Sequence, residues 1–134
     1  MKYEVNVNTS SRAQFKDITV EVVKAVSKSK VKDGVCIVFV PHTTAGITIN
    51  ENADPSVRSD IIRKLNEVIP ANDGYEHSEG NSDSHIKASL MGFSQTIFIE
   101  NGSLVLGTWQ GIYFCEFDGP RNRKVFVKIV DTGK

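Results

Sequence analysis

Six consecutive apolar residues, Val35 to Val40 (VCIVFV), form the longest wholly apolar run in the chain. A membrane-spanning helix needs about 20 such residues, so this run is far too short to cross a bilayer. It reads instead as a strand that is apolar on both faces, central in a sheet and covered on both sides. The rest of the fold must supply that cover.

The flanking patterns supply partners for it. YEVNVNT (residues 3–9) alternates and predicts a first strand. In residues 10–30, SSRAQFKDITVEVVKAVSKSK, the period changes: Phe15, Ile18, Val22, Ala25 and Val26 recur at helical spacing. Ser11 followed by Gln14 has the spacing of a capping box, and Lys24, Lys28 and Lys30 suit the C-terminal end of a helix. A second helix opens at Asp54, an N-cap followed by Pro55 at the first helical position. Val57, Ile61, Leu65 and Val68 form its inner stripe and Pro70 ends it. Residues 71–84 are almost wholly polar, and HIKASLMG (85–92) predicts one to two helical turns, capped by Ser82 or Asp83 and closed by Gly92.

The remainder reads as β-structure. SQTIFIENGSLVLGT (94–108) is a hairpin with Asn101-Gly102 at its turn. GIYFCEF, the turn DGPRNR and KVFVKIV add two more strands, for about seven in all. The class that fits is α+β: an antiparallel-rich β-sandwich with two main helices and one short helix, a single domain over residues 1–134.

Composition narrows function mainly by exclusion. A chain of 134 residues typically buries about two-thirds of the surface its unfolded form exposes, enough for a core without staples. Sixteen basic and sixteen acidic residues balance, so no whole-molecule attraction to nucleic acid or an anionic membrane is expected. The first residues, MKYEVNVNTS, carry no apolar stretch resembling a signal peptide, and a cytoplasmic location is expected. Cys36 and Cys115 sit in apolar, strand-like runs and read as small buried hydrophobes.

Chemistry is concentrated in FVPHTTAGITINENADP (39–55), a strand with polar groups at both ends. None of the three histidines, His42, His77 and His85, lies in an apolar run. Taken singly, each is read as a strand-end or solvated loop residue. Taken together, two ligands close in sequence and one distant follow the plan of a metal site with an open coordination position. Asp54 is accounted for as a helix cap, whereas Glu51 and Asn50 are harder to assign to a turn. Glu116 lies mid-strand, where acids are depleted, either at an edge, as a partner for Arg121 or Arg123, or in a site. Lys87, Arg121 and Arg123 read as solvated charges unless they converge on the histidines. Trp109 and Gln110, in GTWQGI, either line a ring-binding pocket or fill the core.

SQTIFIENGSLVLGTWQGI, PHTTAGITINEN, SHIKASLMG and CEFDGPRNRKV together resemble the shared blocks of the YjbQ-like family, in order and over nearly the whole chain. That family is also called the secondary thiamine-phosphate synthase family and has long been described as uncharacterised. The resemblance implies a β-rich sandwich assembled as a homotrimer and a weak thiamine-phosphate synthase activity, joining a pyrimidine pyrophosphate to a thiazole phosphate. It implies a site at His42, Asn50, Glu51, Asp54, His77 and His85, with a divalent metal, zinc or magnesium. His42, His77 and His85 are then the metal ligands, and Glu51, Asn50 and Asp54 the catalytic groups. Thr43, Thr44, Trp109, Gln110 and Arg121 bind a small phosphorylated substrate. Two other readings stay open: a metal-assisted hydrolase with Glu51 as general base, and a non-enzymatic oligomer that binds a metal or ligand.

Overall fold

The computed structural model describes residues 1–133, and the periods of the sequence emerge in it as eight strands and three helices among those residues. In chain order these are β1 (Lys2–Asn8), β2 (Gln14–Asp17), α1 (Thr19–Ser29), β3 (Gly34–Phe39), β4 (Ala45–Glu51) and α2 (Pro55–Val68). They are followed by α3 (Ser82–Met91), β5 (Ser94–Glu100), β6 (Ser103–Leu104), β7 (Gln110–Glu116) and β8 (Asn122–Asp131). One sheet runs β1-β8-β3-β5-β6 and the other β2-β7-β4, with every pairing antiparallel.

Alternation along the strands builds the interior. Cys36 and Val38 of β3 and Val125 and Val127 of β8 project from the five-stranded sheet. They meet Ile47 of β4 and Ile112 and Phe114 of β7, and α1 adds Val22, Ala25 and Val26 to the same core. Each such side chain contributes roughly 1.5–3 kcal/mol through burial. The opposite face of the three-stranded sheet carries Phe15, Tyr113 and Cys115. These pack under Ile61, Ile62 and Leu65 of α2 and Ala88 and Met91 of α3. Gly46 lets α3 settle onto β4, because a Cβ there would lie 2.8 Å from the Gly92 carbonyl oxygen. That carbonyl accepts the Ile47 N–H at 3.1 Å.

The β-sandwich of the expected class is present, and several local expectations need correction. β3 is central, but only its inner face is covered within the chain. Its outer side chain Phe39 stacks on Phe126 at 6.4 Å and meets Phe93 edge-on at 5.7 Å, while Phe98, paired with Val35 toward the other end of β3, is 64% exposed. The first helix begins at Thr19, not after Ser11. Phe15 pairs with Cys115 in the β2–β7 ladder, and Gln14 accepts the Ser10 N–H in the preceding turn. Phe15 and Ile18 are both buried, so their spacing suits a strand followed by a helix as well as one continuous helix.

The helix at Ser82–Met91 is longer than one or two turns and follows Asn81, with Ser82 and Asp83 inside it. Asp54 caps α2 as expected, but Val68 is 65% exposed and lies outside the inner stripe. At the hairpin turn Asn101 and Gly102 both have positive φ, 52° and 78°, the conformation that Asn-Gly favours, though β6 is only two residues long. No helix among the described residues is long and apolar enough to cross a membrane.

Replacing Phe114 with Ala is expected to lower unfolding free energy by about 3–5 kcal/mol in urea titration. Val68→Ala should change it by less than about 0.5 kcal/mol.

Candidate functional site

The two sheets part at the end where β3 leaves for β4 and β7 returns to β8, and charged side chains occupy the gap. Glu116, the last residue of β7, is in phase with the core residues Ile112 and Phe114. Arg123 of β8 is in phase with Val125 and Val127. Both therefore point between the sheets. Arg123 Nε donates to Glu116 Oε1 at 2.9 Å and its Nη2 to Oε2, closing a fork-shaped pair. The same Nη2 donates to Thr44 Oγ1 at 2.8 Å. Glu116 also accepts from Thr9 Oγ1 at 2.7 Å and from the Asp118 N–H at 3.0 Å. Burial pushes the Glu116 carboxyl upward, but the bonds from Arg123, Thr9 and Asp118 outweigh it and hold the group below the usual glutamate range.

That pair anchors the turn and the strand end carrying the candidate site. Asp118 accepts from Arg121 Nη2 and from Asn81 Nδ2, both at 2.9 Å. Burial raises the Asp118 carboxyl, yet these bonds and the nearby guanidinium charges bring it below its ordinary value. His42 lies just past β3, and the Lys124 N–H donates to its Nε2 at 3.0 Å. Burial first, and then the Arg123 charge, lower the His42 pKa, which favours the neutral ring. A backbone amide always carries its proton, so in the neutral imidazole the hydrogen sits on Nδ1.

The three histidines converge. His42, Thr43, Thr44, His77, His85 and Arg121 share the wall of one cavity of about 440 Å³, to which Asn81 and Arg123 also contribute. His77 and His85 face each other with ring centroids 5.4 Å apart at 90°, and His77 Nε2 lies 4.0 Å from Glu79 Oε1. Tyr75 lines an adjoining groove of about 640 Å³ that shares His77 and His85 with the cavity.

His85 is held by its own helix. Behind it on α3, Asp83 accepts from Arg12 Nη2 at 3.0 Å and from Lys87 Nζ at 2.9 Å. Lys87 Nζ donates in turn to Asn66 Oδ1 of α2 at 2.7 Å. Asp83 and Lys87 are buried, so Lys87 is an internal tether and not a solvated charge.

The remaining expected site residues lie elsewhere in the chain. In the β4–β7 register Ala45 pairs with Glu116 at the histidine end, and Glu51 pairs with Gln110 at the other. The intervening strand spans about 20 Å at roughly 3.3 Å per residue. Asn50 Oδ1 accepts the Glu51 N–H, Asp54 caps α2 through the Ser56 N–H, and Gln110 Oε1 accepts the Gly107 N–H. Trp109 is 63% exposed beside them, outside the core. Glu51, Asn50, Asp54, Trp109 and Gln110 thus form no single site with the histidines of the same chain. A strand with polar ends has two separate ends.

Nor do the histidines fit a three-imidazole metal site as they stand. Among the described residues no three His, Cys, Asp or Glu side chains are gathered closely enough to hold a metal. The acceptor nitrogen of His42 is already taken by Lys124. The facing rings of His77 and His85 remain as a pair. The residues that sequence reasoning left out of the site are Arg123 and Asn81. The signal for Arg123 was its phase with Val125 and Val127.

The model of the family described as UPF0047 protein YjbQ-like matches residues 3–132. A UPF0047 protein of Methanocaldococcus jannaschii is 58% identical over 130 residues, covering 97% of this chain and 94% of that one. The UPF0047 protein YugU of Bacillus subtilis is 48% identical over 127 residues, covering 94% and 96%. A crystal structure of a YjbQ/UPF0047-family protein from Clostridium acetobutylicum is 65% identical. It superposes with a TM-score of 0.94 over 96% of this chain and 99% of that one.

Glu116→Gln, which leaves Arg123 buried without its countercharge, should lower stability by about 3–5 kcal/mol at pH 7. The carboxyl of Glu116 binds its proton less readily folded than unfolded. Its contribution is therefore full above the unfolded glutamate value of about 4.3 and fades as pH falls through the lower folded value. Urea titrations at pH 7 and pH 3.5 should show a larger acid-induced loss in the parent than in the variant.

Proposed function

The chain belongs to the YjbQ-like family, and from that premise we propose that it is a small-molecule transferase of the thiamine-phosphate synthase type. It joins a pyrimidine pyrophosphate to a thiazole phosphate. The observation that carries this reading is the meeting of His42, His77 and His85 with Arg121 and Arg123 around one cavity. Its volume of about 440 Å³ falls in the range that holds ligands of this size, roughly 300–1,000 Å³.

In the reaction the thiazole ring nitrogen forms a C–N bond to the methylene carbon of the pyrimidine. The bond from that carbon to the pyrophosphate oxygen breaks, and pyrophosphate leaves with the electron pair. No proton is removed, so the demand on the protein is orientation and stabilisation of the departing charge. Arg121, the Thr43 hydroxyl and His42 Nδ1–H supply donors for that charge, and Tyr75 supplies a ring face for the pyrimidine. A divalent cation, zinc or magnesium, would arrive with the pyrophosphate and would offset its charge. His77 and His85 are the imidazoles available to it. The hydrolase reading is weaker, because its general base, Glu51, lies at the far end of β4.

A homotrimer belongs to the same reading. Phe39 and Phe93, which meet edge-on, form an outward apolar patch of the kind that marks protein contact surfaces, and Phe98 is exposed further along β5. A cytoplasmic setting suits the two buried free thiols, Cys36 and Cys115.

Incubation of the pure protein with both thiamine precursors and a divalent cation should yield thiamine phosphate. Arg121→Ala should lower kcat/KM about a hundredfold. Product no greater than that of a His85→Ala control would remove the assignment. In sedimentation velocity the parent should run as a trimer and Phe39→Glu as a smaller species.

A further inference from the structure

We propose that the cavity grips a phosphoryl group directly with protein donors, and that His42 serves there as a hydrogen-bond donor through Nδ1–H and not as a metal ligand. This rests on reading the cavity as the substrate site, but not on which reaction follows. Three side chains carry it. His42 lines the cavity with Nε2 committed to the Lys124 amide, and Nδ1 has no acceptor among the described residues. Arg123, only 6% exposed, engages Nε and Nη2 with Glu116 and Thr44. Its Nη1 has no protein partner in the described residues and is not among the sealed-off atoms, so it is open to the cavity that Arg123 lines. Arg121 repeats the arrangement: Nε and Nη2 go to Asp118, and Nη1 is left over.

Three carboxylates adjoin this cradle: Glu79, an exposed side chain on its wall with Oε1 4.0 Å from His77 Nε2, and Glu116 and Asp118, which are engaged by donors. Glu116 is 0% exposed and its two oxygens receive bonds from Thr9, Asp118 and Arg123. Asp118 turns Oδ2 toward Asn81 and Arg121. Asn81 lines the same cavity but adds no open acceptor to it. Asn81 donates through Nδ2 to Asp118, which fixes its amide orientation. Its Oδ1 is the one buried side-chain N or O atom among the described residues without a hydrogen-bond partner. That atom is sealed from solvent, so the donors the cavity offers a phosphate are those of His42, Arg121 and Arg123.

The test uses protein stripped with EDTA and inorganic phosphate as the probe, followed by isothermal titration and by nitrogen-15 spectra of the imidazoles. In the parent, His42 should show a protonated Nδ1 and an unprotonated Nε2, and phosphate should bind without added metal and shift the Nδ1 signal. His42→Gln retains an acceptor for Lys124 but loses the Nδ1 donor, and should weaken binding about tenfold. His42→Asn places an amide N–H near the Nδ1 position and should stay within about threefold. An Nε2-protonated ring in the parent would overturn the proposal without any variant. So would phosphate binding that requires zinc or magnesium, or unchanged affinity in His42→Gln. Metal-free phosphate binding with no thiamine phosphate formed would leave this inference standing and remove the reaction. Synthase activity with no such binding would do the reverse.

Discussion

The buried ion pair of Glu116 and Arg123 is the interaction around which the histidine-lined end of the molecule is organised. It joins the last residue of one sheet to an inward position of the other where two sandwich faces would otherwise meet through apolar side chains. Such a pair adds little net stability over a hydrophobic isostere, since desolvating both charges offsets most of their attraction. Its effect lies in geometry. Thr9, Thr44 and the Asp118 amide all orient on it, which fixes β1, the approach to β4 and the turn before β8 in one arrangement.

Much of the architecture was legible in the residues because period and punctuation agree. VCIVFV is central, Asp54-Pro55 opens a helix, and Asn101-Gly102 turns a hairpin with the backbone signs that pair prefers. Where reading failed, two structures shared one pattern. Phe15 and Ile18 are both buried, so their spacing did not tell a short strand and turn from the first turn of α1. The two-sided apolarity of β3 was read correctly as a pattern, but the chain covers only one side of it.

For the site, the histidines were legible because each stands outside the apolar runs, and the fold brings all three to one cavity. Their chemistry was less so. Whether an imidazole ligates a metal or donates a hydrogen depends on which nitrogen is already occupied. For His42 that is decided by the amide of Lys124, 82 positions away. Glu51 and Asn50 were grouped with the histidines through the family resemblance, yet their end of β4 lies opposite Gln110, not Glu116. Arg123 was passed over as a surface charge, although its alternation with Val125 and Val127 already turned it inward.

The tether behind α3 has a consequence for how this fold can diverge. Because Arg12, Asn66, Asp83 and Lys87 pin the helix from its hidden side, His85 keeps its place through changes in the polar segment before Asn81, whose carbonyl receives the His85 N–H. That segment, with His77, is free to lengthen, shorten or change character without disturbing the anchored imidazole. One wall of the cavity can thus be reshaped by editing a single loop, while the wall opposite it stays constant.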